Sequence, residues 1–201
     1  MKDGLIAVLR FFLFLLILPV IIASALAFET QILGAPAHKE QWLLWGALVY
    51  ILLYIFLYNF KDVYTFGHTI VSNLCRFFEP LVSVGGLIIP IFTVLIICIG
   101  LILNVLGLMP RYEGAVLFAI AFTFTMHIVL TANQMYEADK SPIKAQYLIG
   151  FGVVLVVQIF LISLLLRAAI PEYSFLGYFK SLTAQTASYY KYIYHLLFVS
   201  P

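Results

Sequence analysis

The stretch FFLFLLILPVIIASALAF, from Phe11 to Phe28, decides the fold class of this chain, because it contains no charged residue. A helix needs about 20 apolar residues to cross the hydrocarbon core of a bilayer. Leu5–Leu9 extends the apolar run towards the N-terminus. We therefore predict a membrane-spanning helix over 5–28, in which Pro19 is tolerated because neighbouring helices satisfy the freed carbonyl.

A cleaved signal peptide is the alternative interpretation of this run. Lys2 and Arg10 precede it, and Ala25-Leu26-Ala27 has the small residues of a signal-peptidase site. The apolar part of a signal peptide is only about 7–15 residues long, and this run is longer. We expect the segment to be retained as a helix.

The composition extends this interpretation to the whole chain. Of its 201 residues, 64% are hydrophobic and 10% are charged, and the mean hydropathy is +1.09. Soluble domains carry about 25% charged residues, so lipid is the expected solvent. A net charge of +2 does not suggest nucleic acid as a partner. We expect Cys75 and Cys98 to pack as small hydrophobic residues, with a disulfide as the alternative.

Five segments are long and apolar enough to be predicted spans, and together they predict an all-α, polytopic membrane helical bundle. The short links between them leave no room for a second domain, so 1–170 is predicted as one bundle. The links are predicted as loops at 29–40, 109–114 and 133–144. The predicted spans are 5–28, 42–60, 81–108, 115–131 and 147–170. Gly85, Gly86 and Pro90 predict a bend early in the third.

The tail, 171–201, differs from the bundle because it mixes apolar and polar side chains. Its apolar residues recur at three- and four-residue steps, which is typical of an amphipathic helix. We predict a helix over about 174–199 that lies in the headgroup region, where tyrosine is favoured. The alternative is a docking helix for a partner subunit. The candidate docking residues are Tyr178, Phe179, Tyr189, Tyr190 and Tyr194.

A near-motif lies between the second and third predicted spans, in YTFGHTIVSNLCRFF, residues 64–78. In H-E-x-x-H, two histidines on one helix face share a zinc ion and the glutamate acts as general base. Here His68 takes the first position, Thr69 replaces the base and Ser72 replaces the second ligand. Threonine does not accept a proton at neutral pH, and serine is a poor zinc ligand beside imidazole.

This stretch resembles the FGHELTHAL helix of bacterial relatives of the site-2-protease family of intramembrane zinc metallopeptidases. LIIPIFTVLIICIG (87–100) is similar to the proline-containing segment that follows there, and FAIAFTFTMHIVLTANQM (118–135) is similar to a later helix with a histidine. The resemblance covers 64–166. It implies that His68 matches a motif ligand and that His127 matches the later histidine.

The departures from the family pattern predict a pseudoprotease. No Asp or Glu lies in the third, fourth or fifth predicted span, so the family's acidic ligand has no candidate. Catalytic zinc needs three protein ligands, and the spacing selects neither Cys75 nor Cys98 to join His68 and His127. We predict no catalytic residue and no cofactor, and His68 and His127 remain the candidate metal ligands. The expected role of His68 is a hydrogen bond near a helix start.

Three further polar residues, Asn104, His127 and Gln158, fall inside predicted spans. An intramembrane polar group usually faces the bundle interior and finds a partner. We predict that they form interhelical hydrogen bonds. A lining for a proton or small-solute path is the alternative.

The sequence thus favours a non-enzymatic scaffold or complex subunit that binds other membrane proteins, with the bilayer as its second partner. The competing hypothesis is an active membrane metalloenzyme or a small-solute or proton transporter that uses His68 and His127. A subunit of an energy-converting complex, carrying no haem itself, is a third. The expected location is a bacterial inner membrane, with a cytoplasmic N-terminus.

Overall fold

The computed structural model describes residues 2–57, 61–74, 85–140 and 144–198. The elements that it describes are α-helices. They are α1 (Lys2–Leu33), α2 (Ala37–Leu57), α3 (Lys61–Leu74), α4 (Ile91–Val105), α5 (Met109–Ala138), α6 (Ala145–Ala169) and α7 (Phe175–Phe198). A helical turn at residues 85–88 precedes α4. Residue 75, and with it any pairing of the two cysteines, lies outside the described residues, and Cys98 is exposed.

Three described helices are long and apolar enough to cross a membrane, namely α1, α5 and α6. They contain the first, fourth and fifth predicted spans. The second and third predicted spans extend into residues that the structure does not describe, and α4 is a shorter apolar helix. The fold class is therefore confirmed as helical with three candidate spans, and the count of five stays a prediction.

The links between helices are shorter than predicted. α5 begins at Met109 with Pro110 in its first turn, so 109–114 starts a helix instead of forming a loop. Proline is favoured there because its missing N–H has no helical acceptor to lose. The loops at 29–40 and 133–144 are likewise shorter than predicted, because α1 continues to Leu33 and α5 continues to Ala138. The predicted bend is confirmed, because helix is interrupted at residues 89–90.

The helices pack side by side in the order α2, α5, α6, α1 and α7, with α4 against both α5 and α6. α2 and α5 approach closely because Gly46 lies directly on the backbone carbonyl of Phe118, where a Cβ atom would collide. The main core lies between α1, α5, α6 and the start of α7, around Phe124, Ile162 and Tyr173. α1 contributes only small buried residues to this core and presents many large apolar side chains outwards.

The tail helix α7 runs antiparallel along α1, and its predicted location in the headgroup region stays a prediction. Ser24 and Tyr178 share a buried hydrogen bond of 2.9 Å. Further along, the Tyr190 hydroxyl donates to the Leu16 carbonyl, and Phe12 and Ile193 line one cavity. Two tyrosine hydroxyls of the tail therefore have partners on α1.

An ion cluster around the buried Lys39 side chain holds together one end of the bundle. Lys39 is only 7% exposed. Its Nζ lies 2.9 Å from Oε1 of Glu113 and 3.1 Å from Oε2 of Glu172. His38 lies 3.6 Å from the same Glu113 carboxylate. The cluster joins the start of α2, the start of α5 and the link from α6 to α7.

Candidate functional site

The candidate site is a small cavity, here called the histidine pocket, that lies between α3, α5 and the residues around the 85–88 turn. α3 reaches it because its buried residues recur every three or four positions, at Tyr64, Gly67 and Val71. The opposite face of α3, with Thr65 and Thr69, is exposed. The pocket measures about 10 Å3 and is lined by Tyr64, Gly67, His68, Gly86, Ile89, Ile91, Phe92 and His127.

His68 forms a hydrogen bond within its own helix. Its Nδ1 atom lies 3.3 Å from the hydroxyl of Ser72, which confirms the prediction that the two residues share a helix face. Thr69 bonds to the Thr65 carbonyl instead. The other side of the His68 ring packs on Gly86, where a Cβ atom would collide with the imidazole. Glycine at this position therefore lets the 85–88 turn lie on the histidine.

His127 is buried and points at the same turn. Its Nε2 atom lies 3.1 Å from the carbonyl oxygen of Leu87. A carbonyl only accepts hydrogen bonds, so this contact requires the proton on Nε2. Gln158 of α6 donates to the same oxygen at 2.6 Å. The two side chains thus hold one backbone carbonyl from two helices, as expected for buried polar groups.

Tyr64 connects the two histidines. Its ring centroid lies 6.4 Å from that of His68 and 5.7 Å from that of His127. Its hydroxyl donates to Oε1 of Gln134 at 2.9 Å and lies 3.1 Å from the Thr131 hydroxyl. The phenol therefore anchors α3 on α5 beside the pocket.

The pocket does not fit the zinc site that the family resemblance implies. The described residues contain no group of three or more His, Cys, Asp or Glu side chains that could hold a metal ion. Nε2 of His127 points at a carbonyl, and Nδ1 of His68 contacts a hydroxyl. A catalytic zinc site needs three protein ligands and an open position. The arrangement suits hydrogen bonding and packing.

The other predicted residues are only partly brought together. Gln158 is fully buried, and its Oε1 atom has no hydrogen-bond partner among the described residues. Asn104 does not join it, since its side chain is exposed near the end of α4. In the tail, Tyr178 is fully buried against α1 and cannot serve as a docking residue. Phe179, Tyr190 and Tyr194 are exposed, and Tyr189 is half-buried.

The sequence interpretation missed Tyr64 and the ion cluster of Lys39. The sequence did contain a signal for the ion cluster, because successive predicted spans end on alternating sides of the membrane. Lys39, Glu113 and Glu172 each lie just outside a predicted span, at ends that alternation places on the same side. Tyr64 carried no comparable signal, because its contact with Thr131 depends on how α3 packs on α5.

Compared with family models, curated proteins and solved structures, the chain gives no match. The resemblance to the site-2-protease family therefore stays a prediction.

Proposed function

We propose that the protein is a non-enzymatic membrane subunit that holds another membrane protein against α7 within the bilayer. One observation carries this proposal. α7 pairs along α1 through Tyr178, Tyr190 and Ile193, yet leaves a second face of small and hydroxyl side chains exposed. That face, here called the hydroxyl face, consists of Thr183, Ala184, Ala187 and Ser188.

Because α7 pairs along α1, we place α7 within the membrane instead of flat on its surface. α1 is a candidate span over Gly4–Leu33, and α7 follows it antiparallel from Ser24 to Phe12. A helix that lay flat on the surface would contact α1 at one level only. Lys180 and Lys191 lie towards the two ends of α7, where their charged groups can extend to the interfaces.

The hydroxyl face is a poor surface for lipid and a good one for a helix. Small residues let two helices approach closely, and such surfaces are enriched where helices associate in membranes. Thr183 satisfies its hydroxyl on its own helix, through the carbonyls of Phe179 and Lys180. A partner helix would cover this face.

The histidine pocket supports a structural role for His68 and His127. A volume of about 10 Å3 is about one water molecule and leaves no room for a peptide. His127 holds the 85–88 turn through the Leu87 carbonyl, and His68 bonds to Ser72 within α3. The non-enzymatic assignment rests on the fact that a nitrogen atom of each histidine is engaged in a hydrogen bond.

A metalloenzyme or a proton or small-solute transporter is the second candidate, because His68 and His127 line the same pocket. Metal analysis of the purified protein separates the two candidates. The subunit proposal expects less than one zinc per chain and no change in His68→Ala. Stoichiometric zinc that is lost in His68→Ala would contradict it.

We place the protein in a bacterial inner membrane with the N-terminus in the cytoplasm. If α7 crosses, more basic residues fall on the side of the N-terminus than on the other, in agreement with the positive-inside rule. The residues on the N-terminal side are Lys2, Arg10, Lys61, Arg76, Lys140, Lys144 and Lys191. Those on the other side are Lys39, Arg111, Arg167 and Lys180.

Co-purification in mild detergent tests the subunit proposal. We expect the wild-type chain to bring down a membrane protein at a fixed ratio, and Ser188→Phe to lose it, because the bulky ring prevents close approach. Leu164→Phe is the matched control, since Leu164 is 51% exposed on α6 and outside the hydroxyl face. Equal recovery with all three chains would contradict the proposal.

A further inference from the structure

We propose that the cleft between α1 and α2 binds a membrane amphiphile with an alkyl chain and a cationic amine headgroup. The cleft has a volume of about 270 Å3, and apolar residues form most of its lining. α1 and α2 are consecutive in sequence, but each packs mainly on other helices. The space between them is therefore bounded by Phe28 on one side, Leu43 on the other and Phe124 behind.

The cleft has its two charged residues at one end. Glu29 lies near the end of α1 and Glu40 lies in the first turn of α2, and both line the cleft. Below them the lining residues of α2 are apolar as far as Ala47, and Thr125 of α5 is a further, uncharged polar residue of the lining. From Glu40 to Ala47 a helix rises about 10 Å, at 1.5 Å per residue. That is about a third of a hydrocarbon core of ~30 Å, which matches the upper part of an alkyl chain.

The negative charge of Glu29 and Glu40 at the end of the cleft favours a cationic headgroup. Neither Glu29 nor Glu40 has an ion-pair partner among the described residues. Lys39, next to Glu40, is already bonded to Glu113 and Glu172. Two carboxylates above an apolar cleft attract an amine and repel a phosphate or carboxylate. Within one site, the apolar walls thus bind the alkyl chain of the ligand and the carboxylates bind its headgroup.

Photolabelling of the full-length protein in neutral detergent tests the site. The probes are a long-chain alkyl trimethylammonium with a diazirine in the chain and an alkyl sulfate of the same chain. We expect the cationic probe to label the peptides around Glu29 and Glu40 at about tenfold lower concentration than the sulfate. Equal labelling by the two probes would overturn the assignment.

Variants separate the two binding elements. Glu29→Gln together with Glu40→Gln should weaken the cationic probe about tenfold and leave the sulfate unchanged. Ala47→Phe, or Leu44→Trp from the exposed side, should remove labelling by both probes because the cleft is filled. Asp62→Asn, an exposed carboxylate on α3, should change nothing. Labelling insensitive to the glutamates, or a co-purifying polypeptide that blocks the cleft, would contradict the proposal.

Discussion

The hydroxyl of Tyr190 donates a hydrogen bond to the backbone carbonyl of Leu16, which joins the tail to the first helix. Leu16 lies one turn before Pro19, which lacks an N–H and breaks the regular bonding of α1 at this level. The carbonyl that Pro19 frees is that of Leu15, four residues earlier, so the prediction that a neighbouring helix satisfies it stays a prediction. The bond from Tyr190 to Leu16 connects the two helices on which the functional proposal rests.

Removing this donor should loosen the tail. We expect Tyr190→Phe to lower the free energy of unfolding by about 0.6 kcal/mol, the average for interhelical hydrogen bonds in membranes. Unfolding in mixed micelles measures the change. Tyr192→Phe is the control, because Tyr192 is 67% exposed on the same helix. Equal stability of the two variants would show that the Leu16 contact contributes nothing.

The course of α7 predicts opposite exposure of its two ends. In a chain without its native cysteines, we expect Pro171→Cys and His195→Cys to be labelled from opposite sides by a membrane-impermeant thiol reagent. The reason is that α7 follows α1 from Ser24 to Phe12, inside a candidate span. Labelling of both positions from one side would support the surface location that the sequence predicts.

The ion cluster predicts a defined dependence of stability on pH. The pKa of Glu172 lies below its ordinary 4.5, because its own backbone amide and then Lys39 donate hydrogen bonds to it. Burial lowers the pKa of Lys39, but Glu113 and Glu172 raise it more, so it lies above 10.5. The contribution of Glu172 is present above pH 4.5 and is lost as pH falls through its lowered pKa. That of Lys39 is present below pH 10.5 and is lost as pH rises through its raised pKa.

Lys39→Met should therefore reduce stability at neutral pH and flatten its fall at both extremes. We expect a loss of about 1.5–3 kcal/mol, the range for hydrogen bonds to charged groups. The unfolding midpoint, followed from below the pKa of glutamate to above that of lysine, measures both effects. Lys180→Met serves as the control, since Lys180 is exposed on α7. A variant with the wild-type pH profile would show that the cluster does not stabilise the bundle.

Restoring the protease motif should not restore hydrolysis. Ser72 lies 3.3 Å from Nδ1 of His68, so Thr69→Glu with Ser72→His places two histidines on one face of α3. We expect the variant to fold and to remain inactive on a membrane substrate, because the family's further acidic ligand has no candidate in the third, fourth or fifth predicted span. Chelator-sensitive hydrolysis by this variant would be the contrary result.

The composition and the lengths of the apolar segments were sufficient to predict helices and their order. The reason is that a chain in lipid has few other ways to form all its backbone hydrogen bonds. The sequence also predicted that His68 and Ser72 share a face, since that depends only on local spacing. The helix ends were less predictable. Residues 109–114 combine Pro110 and Gly114 and suggest a turn, yet tertiary packing continues α5 through them.

The contacts of the tail with α1 show the limit of single-sequence reasoning. Lys180, Lys191 and the hydroxyls argue against insertion when each side chain is counted alone. Tyr178 is instead buried with Ser24, and such a long-range pair leaves no periodic trace in the sequence. The meeting of His127 and Gln158 at the Leu87 carbonyl was unpredictable for the same reason.

Photo-cross-linking at Ser188 in native membranes tests the central claim, that the hydroxyl face of α7 is covered by a partner protein. A photoreactive amino acid replaces Ser188 in one chain and Leu164, on the exposed side of α6, in the control. The account predicts a discrete protein adduct from Ser188 and none from Leu164. A Ser188 chain that yields no protein adduct, or only the lipid adducts of the control, would contradict it.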